Sequence, residues 1–285
     1  MRLDDFDKSI KVEDQRGGGF RMGGRRGQLG CGTIAIALVA SVIFGVDPMQ
    51  MLGGMEGDQT TAVESQGGRT LEQSCTVDEF SRESCNALSS LNRTWQPVFQ
   101  QAGVPFEAPK LVFYSQAGQS GCGAAQSAMG PFYCPGDNGI YLDTDFFTEL
   151  AQRFGAQGDF ARQYVIAHEY GHHIQNLTGM SGQVQNASRT NPSRANELSV
   201  RLELQADCYA GVWAAKNRDR IEPGDLEEGL RAAHQIGDDT LMKAAGRRPM
   251  EEAFTHGSSA QRMEWLRRGL ETGDGEQCDT FRSLR

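Results

Sequence analysis

The chain has 285 residues, with 37 acidic and 28 basic side chains and a formal net charge of −9. The chain is acidic and has no stripe of Lys and Arg residues, which proteins use to bind phosphate backbones. We therefore expect no nucleic-acid partner. The length exceeds one average domain, but about 75 residues at the start have the composition of a tail and a linker.

The N-terminal part predicts a charged tail followed by a membrane segment. Residues 1–26 hold seven Lys or Arg and five Asp or Glu. An uncharged run then covers residues 27–46 and is apolar from Ile34 onward, which is just long enough for a hydrocarbon core about 30 Å thick. Because arginines precede this run, we expect residues 1–32 to form a cytoplasmic Gly/Arg-rich tail and residues 33–52 a single-pass transmembrane signal anchor.

The chain after the anchor is expected outside the cytoplasm, at the inner (plasma) membrane. Residues 53–74 have the polar composition of a linker, and residues 75–285 form the folded domain. Cys31 does not indicate a lipoprotein signal, because its apolar run follows the cysteine instead of preceding it.

The folded part predicts an α+β domain that is mainly helical, with a small β-sheet. Residues 116–130 form a glycine-rich loop without a phosphate-binding pattern, which we expect to be a surface loop or a lid. The predicted strands are 110–114, 131–134 and 139–142, and the predicted helices are 77–102, 144–155, 158–177, 192–217, 223–245 and 258–270.

Six cysteines follow Cys31, and an even number in an exported domain favours disulfides. Proximity in sequence suggests the pairs Cys75–Cys85 and Cys122–Cys134. Cys208 with Cys278 is a third, weaker pairing, and Cys208 could instead be a buried thiol.

The stretch His168-Glu169-Tyr170-Gly171-His172 spells H-E-x-x-H within a predicted amphipathic helix. Positions i and i+4 of a helix share one face, so His168 and His172 aim two imidazoles at one point, with the Glu169 carboxylate beside them. This arrangement is typical of a catalytic zinc site. Gly171 costs helix stability and therefore indicates close approach of another backbone. His173 faces elsewhere, and we expect it at the surface or behind the ligands.

A third protein ligand is needed, since catalytic zinc sites use three and leave one position open. The metzincin pattern is excluded, because Gln175 and Thr178 stand where it needs glycine and histidine. Glu203 and Asp207 lie one turn apart among apolar residues, so we expect Glu203 to bind the metal and Asp207 to accept the outward N–H of a ligand histidine. Glu197 is the rival ligand.

The pairing of H-E-x-x-H with a downstream E-x-x-x-D resembles gluzincins, and more narrowly the neutral zinc metallopeptidase family of bacterial membrane-anchored proteins. The segments that carry this resemblance are 168–175, 203–213 and the stretch from Phe254 onward. The resemblance implies a zincin-like domain that holds one Zn²⁺ per chain. In gluzincins an edge strand holds extended substrate, and residues 131–142 are the candidate here.

Similarity to CAAX-type membrane peptidases suggests two further site residues, because in those proteins a histidine and an arginine follow the E-x-x-x-D helix. By that likeness His256 and Arg262 line the cleft, and one of them stabilises the oxyanion. The alternative for His256 is a loop histidine beside a helix cap. His234 is expected to pack on a helix face.

These patterns together predict a membrane-anchored zinc endopeptidase that acts on proteins or peptides, with Glu169 as general base. Two alternatives stay open. One is a catalytically silent peptidase-like scaffold or binding module of the cell envelope, and the other is a zinc amidase acting on cell-wall peptides.

Overall fold

The computed structural model describes residues 1–17, 69–155 and 157–282. The predicted membrane segment, residues 33–52, lies outside these residues, as does most of the predicted linker. Within the described ranges, no helix combines the length and the apolar character that a membrane crossing requires.

A four-stranded sheet has the strand order β1-β2-β6-β5. β1, β2 and β6 run parallel to one another, whereas β5 is an antiparallel edge strand on β6. A separate antiparallel hairpin is formed by β3 and β4, inside the glycine-rich loop for which the sequence predicts no strand. The strands are β1 Lys11–Asp14, β2 Lys110–Tyr114, β3 Ala117–Ser120, β4 Gly123–Gln126, β5 Phe132–Cys134 and β6 Gly139–Asp143.

Residues 1–17, which the sequence assigns to a tail outside the folded domain, pack onto it, and Lys11–Asp14 form strand β1 of the sheet. Lys11 pairs with Lys110 and Asp14 with Phe113 in the parallel register. The Met1 side chain is buried, and its amino group lies 2.9 Å from the Asp159 carboxylate. Backbone pairing and burial of this kind require that these residues belong to the domain.

The helices surround this sheet and make up most of the described chain. They are α1 Leu71–Cys75, α2 Glu79–Gln101, α3 Thr144–Phe154, α4 Asp159–Leu177, α5 Met180–Thr190, α6 Ala195–Lys216, α7 Asp225–Gln235, α8 Asp238–Ala244 and α9 Ser259–Thr272.

The predicted helices are found within a few residues of their expected ends, with three differences. The first is α1, which lies mostly in the predicted linker 53–74. The helix predicted for residues 223–245 is broken into α7 and α8, because Gly237 lies against Ser259 and a Cβ there would be 2.4 Å from the Ser259 nitrogen. Helix α5 was not predicted. Its sequence is mostly polar, and Val184 is its one buried residue.

All three expected disulfides are present: Cys75–Cys85, Cys122–Cys134 and Cys208–Cys278. The third connects α6 to the turn Gly275–Cys278 after α9, and its loop of 70 residues encloses much of the C-terminal part. Long closed loops are those in which a cross-link restricts the unfolded chain most. This disulfide therefore secures the helix that carries Glu203.

Candidate metal centre

Helix α4 carries the H-E-x-x-H motif and crosses α6 at close range. A Cβ added at Gly171 would lie 2.8 Å from the Cα of Ala206, a distance that real side chains do not adopt. The prediction that Gly171 marks the approach of another backbone is thus confirmed. The approach brings the α6 face that carries Glu203 and Asp207 against the two histidines.

His168, His172 and Glu203 form the predicted group of three ligands. The Nε2 atom of His168 lies 3.1 Å from one Glu203 carboxylate oxygen, and that of His172 lies 3.4 Å from the other. One ligand atom from each residue falls within a common span of 4.8 Å. The His172 and Glu203 side chains remain 20% and 15% exposed, so the site is accessible from the solvent.

The opposite ring nitrogens fix the orientation of both histidines. His168 Nδ1 is 2.7 Å from an Asp207 carboxylate oxygen, and His172 Nδ1 is 2.9 Å from the side-chain oxygen of Gln175. Carboxylate and amide oxygens can only accept, so each Nδ1 carries the proton and donates it. In each ring Nε2 is then the nitrogen that faces Glu203, and it binds a divalent metal in its unprotonated form.

Asp207 is itself held by two further side chains. The buried Arg262 guanidinium donates to both Asp207 oxygens, at 2.9 and 3.0 Å, and the Tyr164 hydroxyl donates to one of them at 2.6 Å. Arg262 also reaches the Ile236 carbonyl oxygen. Arg262 therefore lies behind His168, where it positions Asp207. This differs from the expectation that its side chain lines the cleft.

The charges of the site fit a divalent cation. Glu169, Glu203 and Asp207 are three carboxylates, and Arg262 contributes one positive charge. With the carboxylates ionised and both histidines neutral, as metal binding requires, these side chains carry a net charge of −2. A buried net charge of this size is costly unless a cation compensates it. The two nitrogens and one oxygen are also a donor set that zinc prefers.

The pKa shifts reflect the same imbalance of charge. Burial disfavours the charged form of His168, but the carboxylates of Asp207 and Glu203 outweigh that effect and raise its pKa to about 10. Burial acts against ionised Asp207 as well, yet Arg262 and His168 lower its pKa to about 2. The two carboxylates thus favour a positive charge at His168.

Glu169 follows His168 on α4 and is 7% exposed. Its pKa is raised, because burial penalises the carboxylate more than the neighbouring histidines stabilise it. A carboxylate with a raised pKa is a stronger base, which suits proton transfer from water near neutral pH.

His256 lies in the loop before α9 and keeps 49% of its side chain exposed. Its Nδ1 is 3.2 Å from Asp238, whose carboxylate also accepts the backbone N–H groups of Thr255, His256 and Gly257. Partial desolvation lowers the pKa of His256, but the hydrogen bond to Asp238 and the charge of Glu203 outweigh this effect, so the pKa is raised. His256 is therefore oriented by Asp238 and interacts electrostatically with Glu203.

His173 is completely buried, whereas the sequence suggested the surface or a position behind the ligands. Its Nε2 lies 2.7 Å from the Glu107 carbonyl oxygen and its Nδ1 lies 3.1 Å from the Tyr133 hydroxyl. Tyr133 belongs to the edge strand β5, so His173 connects helix α4 to that strand. Desolvation lowers the pKa of His173 to about 4, so the ring is neutral at pH 7.

Two sequence candidates lie outside the centre. Glu197, the rival ligand, is exposed and pairs with Arg194 and Arg201 at 2.9 and 3.1 Å. His234 is exposed in the last turn of α7. Neither belongs to the ligand group formed by the described residues.

A second acidic group, Asp159, Asp225 and Glu228, could also hold a cation by its geometry. Two of its carboxylates instead surround the Met1 amino group, at 2.9 and 3.0 Å. An ammonium group already compensates these charges, so this cluster gives no second metal site.

Three residues of the site were not assigned by the sequence: Tyr164, Gln175 and Asp238. Tyr164 precedes His168 by one turn, and Gln175 follows His172 at i+3. Helix spacing alone could therefore have predicted that both side chains lie beside these histidines. Asp238 begins α8 and lies 18 residues before His256, so no local spacing indicates that contact.

Comparison with known proteins agrees with this geometry. A model of the family described as "putative neutral zinc metallopeptidase" matches residues 1–281. The "uncharacterized protein YpfJ" of Escherichia coli K12 is 42% identical over 293 residues, which cover 99% of each chain. The "uncharacterized protein Rv2575" of Mycobacterium tuberculosis H37Rv is 38% identical over 258 residues, which cover 85% of each chain.

No solved structure matches the chain. The family match nevertheless extends over nearly all of it and includes both the H-E-x-x-H helix and the helix of Glu203 and Asp207. The chain therefore belongs to the putative neutral zinc metallopeptidase family.

Proposed function

We propose that this chain is a zinc-dependent endopeptidase that hydrolyses peptide bonds in proteins or peptides. The observation that carries the proposal is the convergence of two correctly oriented Nε2 atoms on the Glu203 carboxylate, at 3.1 and 3.4 Å. His168, His172 and Glu203 would hold one zinc ion per chain. When bound, zinc supplies a Lewis acid that polarises the scissile carbonyl and lowers the pKa of a water molecule.

Glu169 is the general base in this proposal. Its carboxylate accepts a proton from the attacking water as the water oxygen bonds to the carbonyl carbon. The same carboxyl group then gives that proton to the amide nitrogen as the C–N bond breaks, which releases an amine and a carboxylic acid. The raised pKa of Glu169 supports both transfers, since the group must gain and lose one proton per turnover.

Strand β5 is the proposed binding edge for the substrate backbone. It is the antiparallel edge strand of the sheet, and its Tyr133 contacts His173 of helix α4. An extended peptide that pairs with β5 would run beside α4. Backbone pairing accepts many side chains, which suits an endopeptidase acting on unfolded or extended segments.

His256 is the proposed donor to the oxygen of the scissile carbonyl as negative charge develops there. Asp238 accepts the proton of Nδ1, so Nε2 can donate to a substrate when the ring carries both protons, the form that the raised pKa of His256 favours. The role assigned by similarity to either His256 or Arg262 falls to His256, because Arg262 is buried and bonded to both oxygens of Asp207.

The proposed location is the outer face of the plasma membrane, with the segment 33–52 providing the attachment. Three disulfides among the six cysteines of the described domain support a compartment outside the cytoplasm.

The deciding experiment compares the full-length chain with Glu169→Gln, using unfolded casein as substrate. We expect the wild type to cleave casein and a chelator to abolish the cleavage. Glu169→Gln should retain zinc but lose activity by roughly 10²- to 10⁴-fold. Glu271→Gln, an exposed carboxylate on α9, is the matched control and should stay active.

Equal activity of Glu169→Gln and wild type would overturn the proposal. Purified murein serves as a second substrate in the same assay. Zinc-dependent release of murein peptides, with casein left intact, would favour an amidase, and a zinc-loaded protein inactive on both would favour a scaffold.

A further inference from the structure

Residues on both sides of the predicted membrane segment form one sheet. Strand β1 pairs with β2 over four residues, from Lys11 with Lys110 to Asp14 with Phe113. The next residue continues the pairing, since the Gln15 backbone N–H donates to the Phe113 carbonyl oxygen at 2.8 Å. Parallel pairing of this kind needs both strands within about 5 Å of each other.

Residues that flank segment 18–68 also contact each other. The Arg69 guanidinium donates to the Arg16 carbonyl oxygen at 3.1 Å. Both arginines pair with the fully buried Asp14 carboxylate, at 2.7 Å for Arg16 and 3.1 Å for Arg69. A buried carboxylate shared by two arginines is a specific, geometrically defined contact.

Arg16 further attaches this region to the helical part of the domain. Its guanidinium donates to the Ser74 carbonyl oxygen at 2.9 Å and to the Ser81 hydroxyl at 2.6 Å. The disulfide Cys75–Cys85 lies directly beside these contacts in sequence. The N-terminal residues are therefore fixed against a disulfide-bonded part of the chain.

A single membrane crossing between residues 17 and 69 is incompatible with these contacts. It would separate them by a hydrocarbon core about 30 Å thick, across which no backbone hydrogen bond can form. Two crossings need about 40 apolar residues, and the uncharged run covers only residues 27–46.

We infer that residues 1–17 and 69–282 occupy the same compartment, so the chain does not cross the membrane once between them. The disulfides place that compartment outside the cytoplasm, so the N-terminal residues lie there too. This revises the expected cytoplasmic N-terminus and does not depend on peptidase activity.

Paired cysteine labelling in intact cells tests the inference on the full-length chain. Ser9→Cys and Ser193→Cys are introduced separately into a Cys31→Ser background, because both serines are exposed and lie on opposite sides of the segment. A membrane-impermeant maleimide should label both variants to the same extent before permeabilisation. Labelling of Ser193→Cys before permeabilisation and of Ser9→Cys only afterwards would overturn the inference. If both were labelled only afterwards, the shared compartment would stand and its position outside the cytoplasm would be wrong.

A cross-link tests the strand pairing itself. Lys11→Cys with Lys110→Cys joins residues that face each other in the β1–β2 register, so mild oxidation of membrane-bound protein should form an internal disulfide. Lys8→Cys with Lys110→Cys is the control, because Lys8 lies outside β1, and it should cross-link far less. Equal cross-linking of the two pairs, or none in either, would contradict the sheet on which the inference rests.

Discussion

Gly171 on α4 and Ala206 on α6 make the contact that assembles the candidate metal centre. A Cβ at position 171 would lie 2.8 Å from the Ala206 Cα and 3.0 Å from its carbonyl oxygen, so the helices can approach this closely only with glycine there. Glu203 is carried on the same helix as Ala206, one turn before it. The distance between the two helices therefore sets the distance from Glu203 to the histidines.

Gly171→Ala should weaken zinc binding although it removes no ligand. The new methyl group must push α6 away and move Glu203 from the two Nε2 atoms, so we expect at least a tenfold rise in the zinc dissociation constant. Gly182→Ala on α5 is the control, because a Cβ there meets nothing within 4 Å. It should leave zinc affinity unchanged and increase stability by roughly 0.5–1 kcal/mol through helix propensity. Equal zinc affinities of the two variants would contradict the role of Gly171.

Asp207→Asn should lower zinc affinity by roughly 10- to 100-fold, because it weakens the hydrogen bond that orients His168. Competition with a chromogenic chelator measures the dissociation constant. Asp219→Asn, an exposed aspartate after α6, controls for the loss of one negative charge. Tyr164→Phe should produce a smaller loss than Asp207→Asn, since it removes one donor to Asp207 and leaves the carboxylate. An unchanged affinity in Asp207→Asn would refute this positioning role.

Arg262→Gln should destabilise the zinc-free protein by about 3–5 kcal/mol, because it leaves the buried Asp207 carboxylate without its charge partner. Denaturant titration gives the free energy of unfolding. Combining it with Asp207→Asn should cost less than the sum of the two single changes, since the double variant buries no unpaired charge at this position. Additive losses would show that the two side chains do not act as a pair.

His173 gives the protein a defined acid sensitivity. Its folded-state pKa of about 4 lies below the ordinary value of 6.5, so the unfolded chain binds a proton first as pH falls. Its contribution to stability is therefore complete above pH 6.5 and is lost between 6.5 and 4, by an amount of about 3 kcal/mol.

The free energy of unfolding of the zinc-free protein, followed from pH 7.5 to 4, measures this contribution. His173→Gln should reduce the fall in stability within that window, since glutamine does not titrate. The same pH dependence in both proteins would assign the acid sensitivity to other groups.

The geometry of the candidate metal site was largely predictable, because its residues follow helix periodicity. His168 with His172, and Glu203 with Asp207, are each one turn apart, and spacing alone puts each pair on one face. The disulfides and the strands β2, β5 and β6 were also predictable, from cysteine proximity and from short apolar runs between turn residues.

Contacts between distant segments were not predictable in this way. Strand β1 reads Lys11-Val-Glu-Asp14, which is charged and only half-buried, and its partner lies about 100 residues later. The pairing of Arg262 with Asp207 depends on how α9 packs on α6, where a Cβ at Gly269 would lie 2.0 Å from the Cys208 carbonyl oxygen. Such packing depends on tertiary shape and leaves no periodic pattern in the sequence.

The zinc content of the full-length chain, purified without a metal-affinity tag, tests the metal centre most directly. Wild type, Glu203→Ala and Glu197→Ala are compared, because both glutamates lie on α6 and Glu197 is exposed and paired with arginines. We predict about one zinc per chain in the wild type and in Glu197→Ala, and little or none in Glu203→Ala. Equal zinc in all three proteins, or its loss only in Glu197→Ala, would contradict Glu203 as the third ligand.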